Sequence, residues 1–390
     1  MRQAVRALAS TMALAVLLGV ALGYGGALIF ALDGLAHFRL HFLLALAPVA
    51  CLALLVREWR AVFRCGVAGV LAIAGLGVMW ETPAPPVASN PDAPAITVMT
   101  ANLYQRNPQP ELMRAALRAQ DADILITNET GRSAVEGLTS LADQYPYHLV
   151  LTTRGRALRT VIWSKFPIRD GTLYLEDKVE PTGARAIVSL NPGFEIGILG
   201  VHFAHAVVGN QDIQIEALDT IAEDMPPTRI VLGDLNITPW SWAMLRTEEL
   251  TGTRRVPGYR VTWRGSYYTP FGNVRALIGQ PIDHVLISPD LSVEDVHTVA
   301  IPGSDHRGVV ARLRLPVGAG LSLKTDPPYV ERLKGGRDAV GHSRDRAVGR
   351  DVGAAVRRLS FDFREPLPGS GSDGPGDRRT GGGWGPAKLP

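Results

Sequence analysis

Cysteine is almost absent from this sequence, since only Cys51 and Cys65 occur among 390 residues. So few cysteines exclude a disulfide framework and a cysteine-based zinc site. Charged residues are also sparse at 20%, whereas 46% of residues are hydrophobic, which excludes a collagenous or wholly disordered chain. Residues 81–316 carry 21 basic and 26 acidic side chains, a net charge of −5, whereas a general nucleic-acid binder is more often basic.

Charge is missing altogether from three apolar runs at residues 7–32, 40–56 and 65–80. The first run is long enough for a helix to cross roughly 30 Å of hydrocarbon. The other two are shorter, and their flanking arginines can extend to the interface. We therefore predict three transmembrane helices in residues 1–80. A cleaved signal peptide and a buried helical core are the alternatives, and the two further runs disfavour the first of these.

The arginines around these runs predict an orientation. Arg2 and Arg6 precede the first run and three arginines lie in the 57–64 loop, whereas the 33–39 loop contains a single arginine. The positive-inside rule then places the N-terminus in the cytoplasm and residues 81–390 outside it. We expect a multi-pass protein of a bacterial inner membrane, with its large domain in the periplasm.

Three further parts follow the predicted membrane anchor (1–80). Residues 81–94 contain five prolines, which favours an extended tether. Residues 95–316 alternate β-rich runs with helical runs, which predicts an α/β domain whose two-sheet core is covered by helices. Residues 317–390 are rich in Gly, Pro and Arg and poor in large apolar residues, so we expect disorder, with a weak helix around 354–359.

Polar side chains stand at the ends of the predicted strands. Such groups are costly to gather at one sheet edge unless they bind something. Carboxylates and carboxamides without cysteine suit a hard cation such as Mg²⁺. The residues are Asn102, Glu129, His202, Asp234, Asn236, Asp283, Asp305 and His306.

These residues lie in a series of short motifs: Thr100-Ala-Asn102, Asn128-Glu129-Thr, Val201-His202, Gly233-Asp234-Leu-Asn236, Ile282-Asp283-His and Ser304-Asp305-His306. In this order, the series resembles the endonuclease/exonuclease/phosphatase superfamily across about 95–316. The resemblance implies a four-layer α/β sandwich of two mostly antiparallel sheets flanked by helices, here preceded by three transmembrane helices. It also implies a divalent metal, Mg²⁺ or Mn²⁺, and hydrolysis of phosphate esters.

The resemblance assigns the metal ligands to Glu129 and Asp305. Asn102 would assist near the ion or the phosphate. Arg159 either reaches the phosphate or is a surface residue of its strand. The alternative for Glu129 is the N-cap of a helix that begins at Ser133.

The remaining roles concern water and the phosphoryl group. Asp234 would orient or deprotonate water, and Asn236 would hold the phosphate unless it caps the helix that follows. His306 would abstract a proton or contact the phosphoryl group, and Asp283 would fix its tautomer. His202 would face the phosphoryl group or the leaving oxygen.

Two features depart from the pattern or stay open. Tyr104 stands where many relatives carry an acidic residue or Asn, so Asn107 would have to compensate, and we expect one ion rather than two. The stretch 254–275 contains five arginines together with Trp263, Tyr267 and Tyr268. It is either a nucleic-acid or headgroup surface or a solvated loop.

Three functions remain open from the sequence. The first is a metal-dependent phosphodiesterase or endonuclease. The second is a phospholipid-headgroup or phosphomonoester phosphatase that uses the same site, and the third is a catalytically inactive binding module. The expected partners are a phosphate-ester substrate, either nucleic acid or lipid headgroup, and membrane lipid, with no obligate protein partner.

Overall fold

The computed structural model describes all of the anchor and most of the α/β domain. The described residues are 1–81, 93–131, 141, 143–152, 159–176, 183–206, 210–265, 279–316, 319, 321 and 356–359. Most of the predicted tether, the helix predicted from Ser133 and nearly all of the predicted disordered tail lie outside these residues.

The anchor contains four α-helices: α1 (Arg2–Leu22), α2 (Phe30–Ala36), α3 (Arg39–Leu55) and α4 (Trp59–Glu81). Only Arg2–Ala27 and Trp59–Gly77 are each long and apolar enough to span a membrane among the described helices. Helices α2 and α3 meet at a 54° bend and form a third candidate span only if counted together. The expectation of three regular spans is therefore corrected to two single-helix spans, with the bent pair α2–α3 as the third candidate, because the 17 residues of α3 alone reach only about 25 Å.

Small side chains allow the anchor helices to pack closely. Ala9 and Ala13 of α1 are fully buried against Ala53 of α3 and Ala61 of α4. Cys65 is buried in the same cluster, where it acts as a small apolar side chain.

The α/β domain consists of two sheets and four described helices. Sheet one has the strand order β11-β12-β1-β2-β4-β3, and sheet two has the order β13-β5-β6-β7-β8-β10-β9. The strands are β1 (Ala95–Asn102), β2 (Ile124–Asn128), β3 (Tyr147–Thr152), β4 (Arg159–Ser164), β5 (Ile168–Glu176), β6 (Gly183–Asn191), β7 (Phe194–His202), β8 (Arg229–Asp234), β9 (Arg254–Arg255), β10 (Asp283–Ile287), β11 (Ser292–Ala300), β12 (Arg307–Arg314) and β13 (Val356–Leu359). The helices are α5 (Pro110–Ala119), α6 (Gln211–Glu216), α7 (Leu218–Glu223) and α8 (Trp242–Thr251).

The predicted four-layer sandwich is confirmed. Alternating strand residues such as Ile96 and Val98 of β1 face Ile196 and Ile198 of β7 in the core between the sheets. Helix α5 packs on the outer face of sheet one, and α6, α7 and α8 pack on the outer face of sheet two. Most neighbouring strands are antiparallel, and within the described strands only the pairs β1–β2 and β7–β8 are parallel.

One element of the predicted tail is a strand. Val356–Leu359 (β13) pairs antiparallel with β5 at the edge of sheet two. The weak helix expected around 354–359 is therefore wrong. Paired backbone groups on an edge strand can outweigh a weak local helix preference.

Candidate active site

The two parallel strand pairs bring the predicted polar residues to one edge of the sandwich. At the ends of β1 and β2, Asn102 lies beside Asn128, and Glu129 follows directly. At the ends of β7 and β8, His202 lies beside Asp234. Asp283 begins the antiparallel strand on the other side of Asp234.

Asn102 joins the two sheets. Its Nδ2 atom donates hydrogen bonds of 2.9 Å to Glu129 Oε1 and of 2.9 Å to Asp234 Oδ2. Its Oδ1 atom accepts from the backbone N–H of Tyr104 at 2.9 Å. Two carboxylates from different sheets therefore converge on one fully buried side chain.

Asp234 is the centre of the cluster. Its carboxylate is buried, and Oδ2 lies 3.8 Å from Nε2 of His202 and 3.8 Å from Nε2 of His306. Its Oδ1 atom accepts from the backbone N–H of Asn236 at 3.1 Å. The carboxylate of Asp234 therefore links both imidazole rings to Asn102, the side chain that joins the two sheets.

The backbone around the cluster is unusual at three positions. Gly233 has φ +154°, and a Cβ atom there would lie 1.9 Å from the carbonyl oxygen of Val201, so only glycine fits. Glu129 and Asn236 adopt left-handed φ values of 49° and 52°. Non-glycine residues in this region are strained and are concentrated at functional sites.

His306 and Asp283 form a buried ion pair. His306 Nδ1 lies 2.8 Å from Asp283 Oδ2, which fixes the ring with Nε2 towards Asp234. Burial alone would lower the pKa of His306, but the carboxylates of Asp283 and Asp234 raise that pKa to about 10. The raised pKa favours the imidazolium form of His306, which suits contact with a phosphoryl oxygen better than proton abstraction.

Two residues that were not assigned a role also hold the cluster together. Asn128 Oδ1 accepts from the backbone N–H of Asp234 at 3.0 Å. Ser304 Oγ donates to the carbonyl of Asn102 at 2.8 Å and accepts from the N–H of His306 at 3.0 Å. Both residues belong to the short motifs of the sequence, and this position was the only feature of the sequence analysis that pointed to a role for them.

The residues that could hold a metal ion differ in part from the expectation. Ligand atoms of Glu129, His202 and Asp234 lie within 4.8 Å of one another, as do those of Asp234, Asp283 and His306. Two converging carboxylates with an imidazole nearby fit a hard divalent cation. Asp305 belongs to neither group within the described residues. Its carboxylate accepts a hydrogen bond from Nε1 of Trp263 at 3.1 Å.

Other predicted residues have structural partners. Asn236 Nδ2 donates to the carbonyl of Phe203 at 2.9 Å, so this amide group holds the loop. The N-cap of α8 is Ser241, so the capping alternative for Asn236 is wrong. Asn107 Nδ2 donates to the carbonyls of Leu103 and Pro302 at 2.9 Å each. These bonds hold the amide of Asn107 against its own loop and the neighbouring one.

The structure shows three further polar residues, His284, Arg159 and His205, in different detail. His284 Nε2 lies 2.8 Å from the carbonyl of Ile237, and burial lowers the pKa of His284 to about 3, so this ring is a neutral structural group. Arg159 lies on β4 opposite Thr152, and its side chain is outside the described part of the chain. His205 is exposed.

Two arginines in the described part of the basic stretch have structural partners. The Arg255 guanidinium donates to the carbonyls of Val256 and Gly258 at 3.0 and 2.9 Å. Arg260 donates to the carbonyls of Pro257 and Val296 at 2.6 and 3.1 Å. These two side chains therefore brace the loop, and Arg260 also ties it to strand β11. Residues 266–278 lie outside the described range.

Comparison with known proteins agrees with this geometry. Residues 99–306 match the profile of the Endonuclease/Exonuclease/phosphatase family. The chain belongs to this family. Endonuclease/exonuclease/phosphatase enzymes are phosphoester hydrolases that generally use divalent metal ions. No curated protein matches the sequence.

Several solved structures are similar to this chain. An endonuclease/exonuclease/phosphatase from Beutenbergia cavernae is 21% identical, with a TM-score of 0.42, over 57% of this chain and 72% of that chain. Sphingomyelinase C from Streptomyces griseocarneus is 17% identical, with a TM-score of 0.41, over 56% and 99% of the two chains. D. rerio TDP2 complexed with single strand DNA product is 14% identical, with a TM-score of 0.46, over 56% and 99%.

Proposed function

We propose that this protein is a membrane-anchored, divalent-metal-dependent hydrolase of phosphate esters, of the phosphodiesterase or endonuclease type. The arrangement around Asp234 carries the proposal, because one buried carboxylate contacts Asn102 and faces two imidazoles beside a second carboxylate. An inactive binding module would not need a buried ion pair aimed at this centre. Family membership supports the same reaction class.

The residues have separable roles in this proposal. Glu129 and Asp234 would hold the cation, which supplies positive charge against the phosphoryl oxygens. The His306 imidazolium, held by Asp283, donates from Nε2 to a phosphoryl oxygen. His202 is about one-fifth exposed, with a side-chain accessibility of 21%, and can transfer a proton to the leaving oxygen at the mouth of the site.

A lipid-headgroup or phosphomonoester phosphatase is the second candidate. One observation favours it, since anchor residues contact the loop that follows Asn236. His37 Nδ1 accepts from the backbone N–H of Thr238 at 3.1 Å. The site would therefore stay close to the membrane surface, where phosphate esters of lipids are presented.

A substrate panel tests the proposal. The full chain in detergent or nanodiscs, with Mg²⁺ or Mn²⁺, would be offered bis-p-nitrophenyl phosphate, p-nitrophenyl phosphate, single- and double-stranded DNA, RNA and phospholipid vesicles. We expect the wild-type chain to hydrolyse a phosphodiester and the Asp234→Asn variant not to hydrolyse it. Absence of hydrolysis of every substrate by the folded protein would contradict the proposal.

We further propose that the α/β domain lies on the periplasmic side of a bacterial inner membrane. The arginine-rich end of the helical bundle supports this orientation. There, Arg6 Nε donates to the carbonyl of Val56 at 2.8 Å, and Arg64 donates to Ser10 Oγ at 2.6 Å. At the other end, Arg39 donates to the carbonyl of Trp240 in the α/β domain. The positive end therefore faces away from that domain, which fits the positive-inside rule when the bent pair α2–α3 serves as the third crossing between α1 and α4.

Reporter fusions check the orientation. Alkaline phosphatase fused after residue 316 should be active, and green fluorescent protein at the same position, exported by the general secretory route, should be dark. Fusions in the 57–64 loop serve as the matched control and should give the opposite result. Dark green fluorescent protein in the loop together with inactive alkaline phosphatase after residue 316 would refute the orientation.

A further inference from the structure

The anchor makes a polar contact with the α/β domain between residues 33–39 and residues 238–243. We call these two segments together the anchor clamp. Asp33, His37 and Arg39 are all buried, with relative accessibilities of 1%, 3% and 5%. A simple flexible tether would leave these polar side chains in solvent.

Asp33 binds the start of helix α8. Its Oδ1 accepts from the backbone N–H of Trp242 at 2.8 Å, and its Oδ2 accepts from that of Ala243 at 3.0 Å. The first N–H groups of a helix have no partner within the helix, and a carboxylate there is also favoured by the helix dipole. The anchor therefore completes the N-terminus of a helix in the other part of the molecule.

Arg39 ties the anchor helices to the same loop. Its Nη1 atom donates to the carbonyls of Trp240 at 2.5 Å and Gly75 at 3.3 Å, and Nη2 donates to the carbonyl of Gly23 at 3.3 Å. The guanidinium also lies 4.4 Å from the centre of the Tyr24 ring. A Cβ atom at Gly75 would lie 2.7 Å from Arg39 Nε, so glycine there makes room for the guanidinium.

Two reciprocal bonds close the clamp. The backbone N–H of Thr238 donates to His37 Nδ1 at 3.1 Å, and Trp240 Nε1 donates to the carbonyl of Ala36 at 2.8 Å. Because Nδ1 of His37 accepts, the ring proton lies on Nε2, 3.9 Å from Asp33 Oδ2. Each of residues 238, 240, 242 and 243 is thus held by the anchor.

The clamped segment is continuous with the active site. Asp234 and Thr238 are four residues apart, so their Cα atoms lie within about 14 Å. Between them, Asn236 donates its backbone N–H to Asp234 Oδ1 at 3.1 Å, and Leu235 donates to the carbonyl of Ile282 at 3.0 Å. The clamped residues and the carboxylate that contacts Asn102 therefore belong to one short, hydrogen-bonded segment.

We propose that Asp33, His37 and Arg39 are positioning residues of the active site: the membrane anchor holds the 234–243 segment and thereby the carboxylate of Asp234. The inference rests on the proposed hydrolase function for its kinetic consequence, but the contact itself does not. In this proposal the anchor contributes to the geometry of the active site as well as localising the enzyme.

The test compares Arg39→Gln with Arg64→Gln in the full chain in detergent micelles. The two substitutions are the same, and Arg64 makes its bonds to Ser10 at the opposite end of the bundle. Two quantities are measured: kcat and KM for bis-p-nitrophenyl phosphate, and amide hydrogen exchange of peptides that cover residues 232–244. Asp33→Asn serves as a second variant if Arg39→Gln does not fold.

For Arg39→Gln we expect kcat to fall by about 10–100-fold, the range for groups that orient site residues, with KM within about twofold. Exchange in 236–243 should become faster. Arg39→Lys should restore part of kcat, because it keeps a donor and the charge. Arg64→Gln should change neither quantity.

Three results would overturn the proposal: unchanged exchange in Arg39→Gln, unchanged kcat despite faster exchange, or an equal loss in Arg64→Gln. If the wild-type chain hydrolyses no phosphate ester, the proposed function fails, and exchange alone decides on the clamp. Faster exchange in Arg39→Gln but not in Arg64→Gln then supports the clamp, and equal exchange in the two variants refutes it.

Discussion

Replacing Asp234 by asparagine is expected to lower kcat for phosphate-ester hydrolysis by roughly 10³–10⁴-fold, the loss typical of a charged group at the reacting centre. Asparagine keeps the shape of the side chain but removes the buried negative charge. The carboxylate accepts a hydrogen bond from Asn102 Nδ2, and its Oδ2 atom lies 3.8 Å from Nε2 of His202 and 3.8 Å from Nε2 of His306. Steady-state kinetics of the full chain measure the effect.

Asp219→Asn is the matched control for this substitution. Asp219 is an exposed residue of helix α7, away from the cluster, so the same aspartate-to-asparagine substitution there leaves the site intact. Its kcat should equal that of the wild type. A loss below about tenfold in Asp234→Asn, with the fold intact, would show that the cluster is not centred on this carboxylate.

The second large effect concerns His306. Its replacement by alanine should lower turnover by roughly 10²–10⁴-fold, the range for a positioned acid or base. Asp283 contacts Nδ1 of His306 at 2.8 Å and acts through that ring. Asp283→Asn should therefore add little in the His306→Ala background. Independent, additive losses would contradict the orienting role of Asp283.

The same pair determines the pH dependence. The carboxylates of Asp283 and Asp234 raise the pKa of His306 to about 10 against the effect of burial. Since the pKa is raised, the imidazolium persists to higher pH than in a free histidine and is lost as the pH rises through the folded-state pKa. In Asp283→Asn the alkaline fall in kcat should move to lower pH.

His297→Ala provides the control for both measurements. His297 Nδ1 also pairs with an aspartate, Asp295, at 2.6 Å, but the pair is exposed. Its loss should leave the rate and the pH profile unchanged. An alkaline limb that stays in place in Asp283→Asn would show that Asp283 does not control the charge of His306.

The sequence was sufficient for residues whose chemistry is visible in short motifs. Asn102, Glu129, His202 and Asp234 each follow an apolar strand, and the ends of parallel strands meet at one edge, so the structure brings these four together. The contact between Asp305 and Trp263 could not be predicted, because Trp263 approaches Asp305 through tertiary contacts alone.

The anchor clamp was also beyond sequence reasoning. Asp33 and Arg39 were interpreted as residues of a short loop because their partners, Trp242 and Trp240, lie more than 200 positions away. Hydropathy detects apolar runs, but a polar segment packed against another domain has the same local pattern as an exposed loop.

Metal removal and restoration tests the proposed hydrolase most directly. Hydrolysis of bis-p-nitrophenyl phosphate by the full chain would be measured in excess EDTA and again as Mg²⁺ or Mn²⁺ is added back. We predict loss of activity in EDTA, its return with either ion, and a higher metal requirement for Glu129→Gln, whose fold should be intact because only charge is removed. Full activity of the wild-type chain in excess EDTA would contradict the proposed metal-dependent hydrolysis.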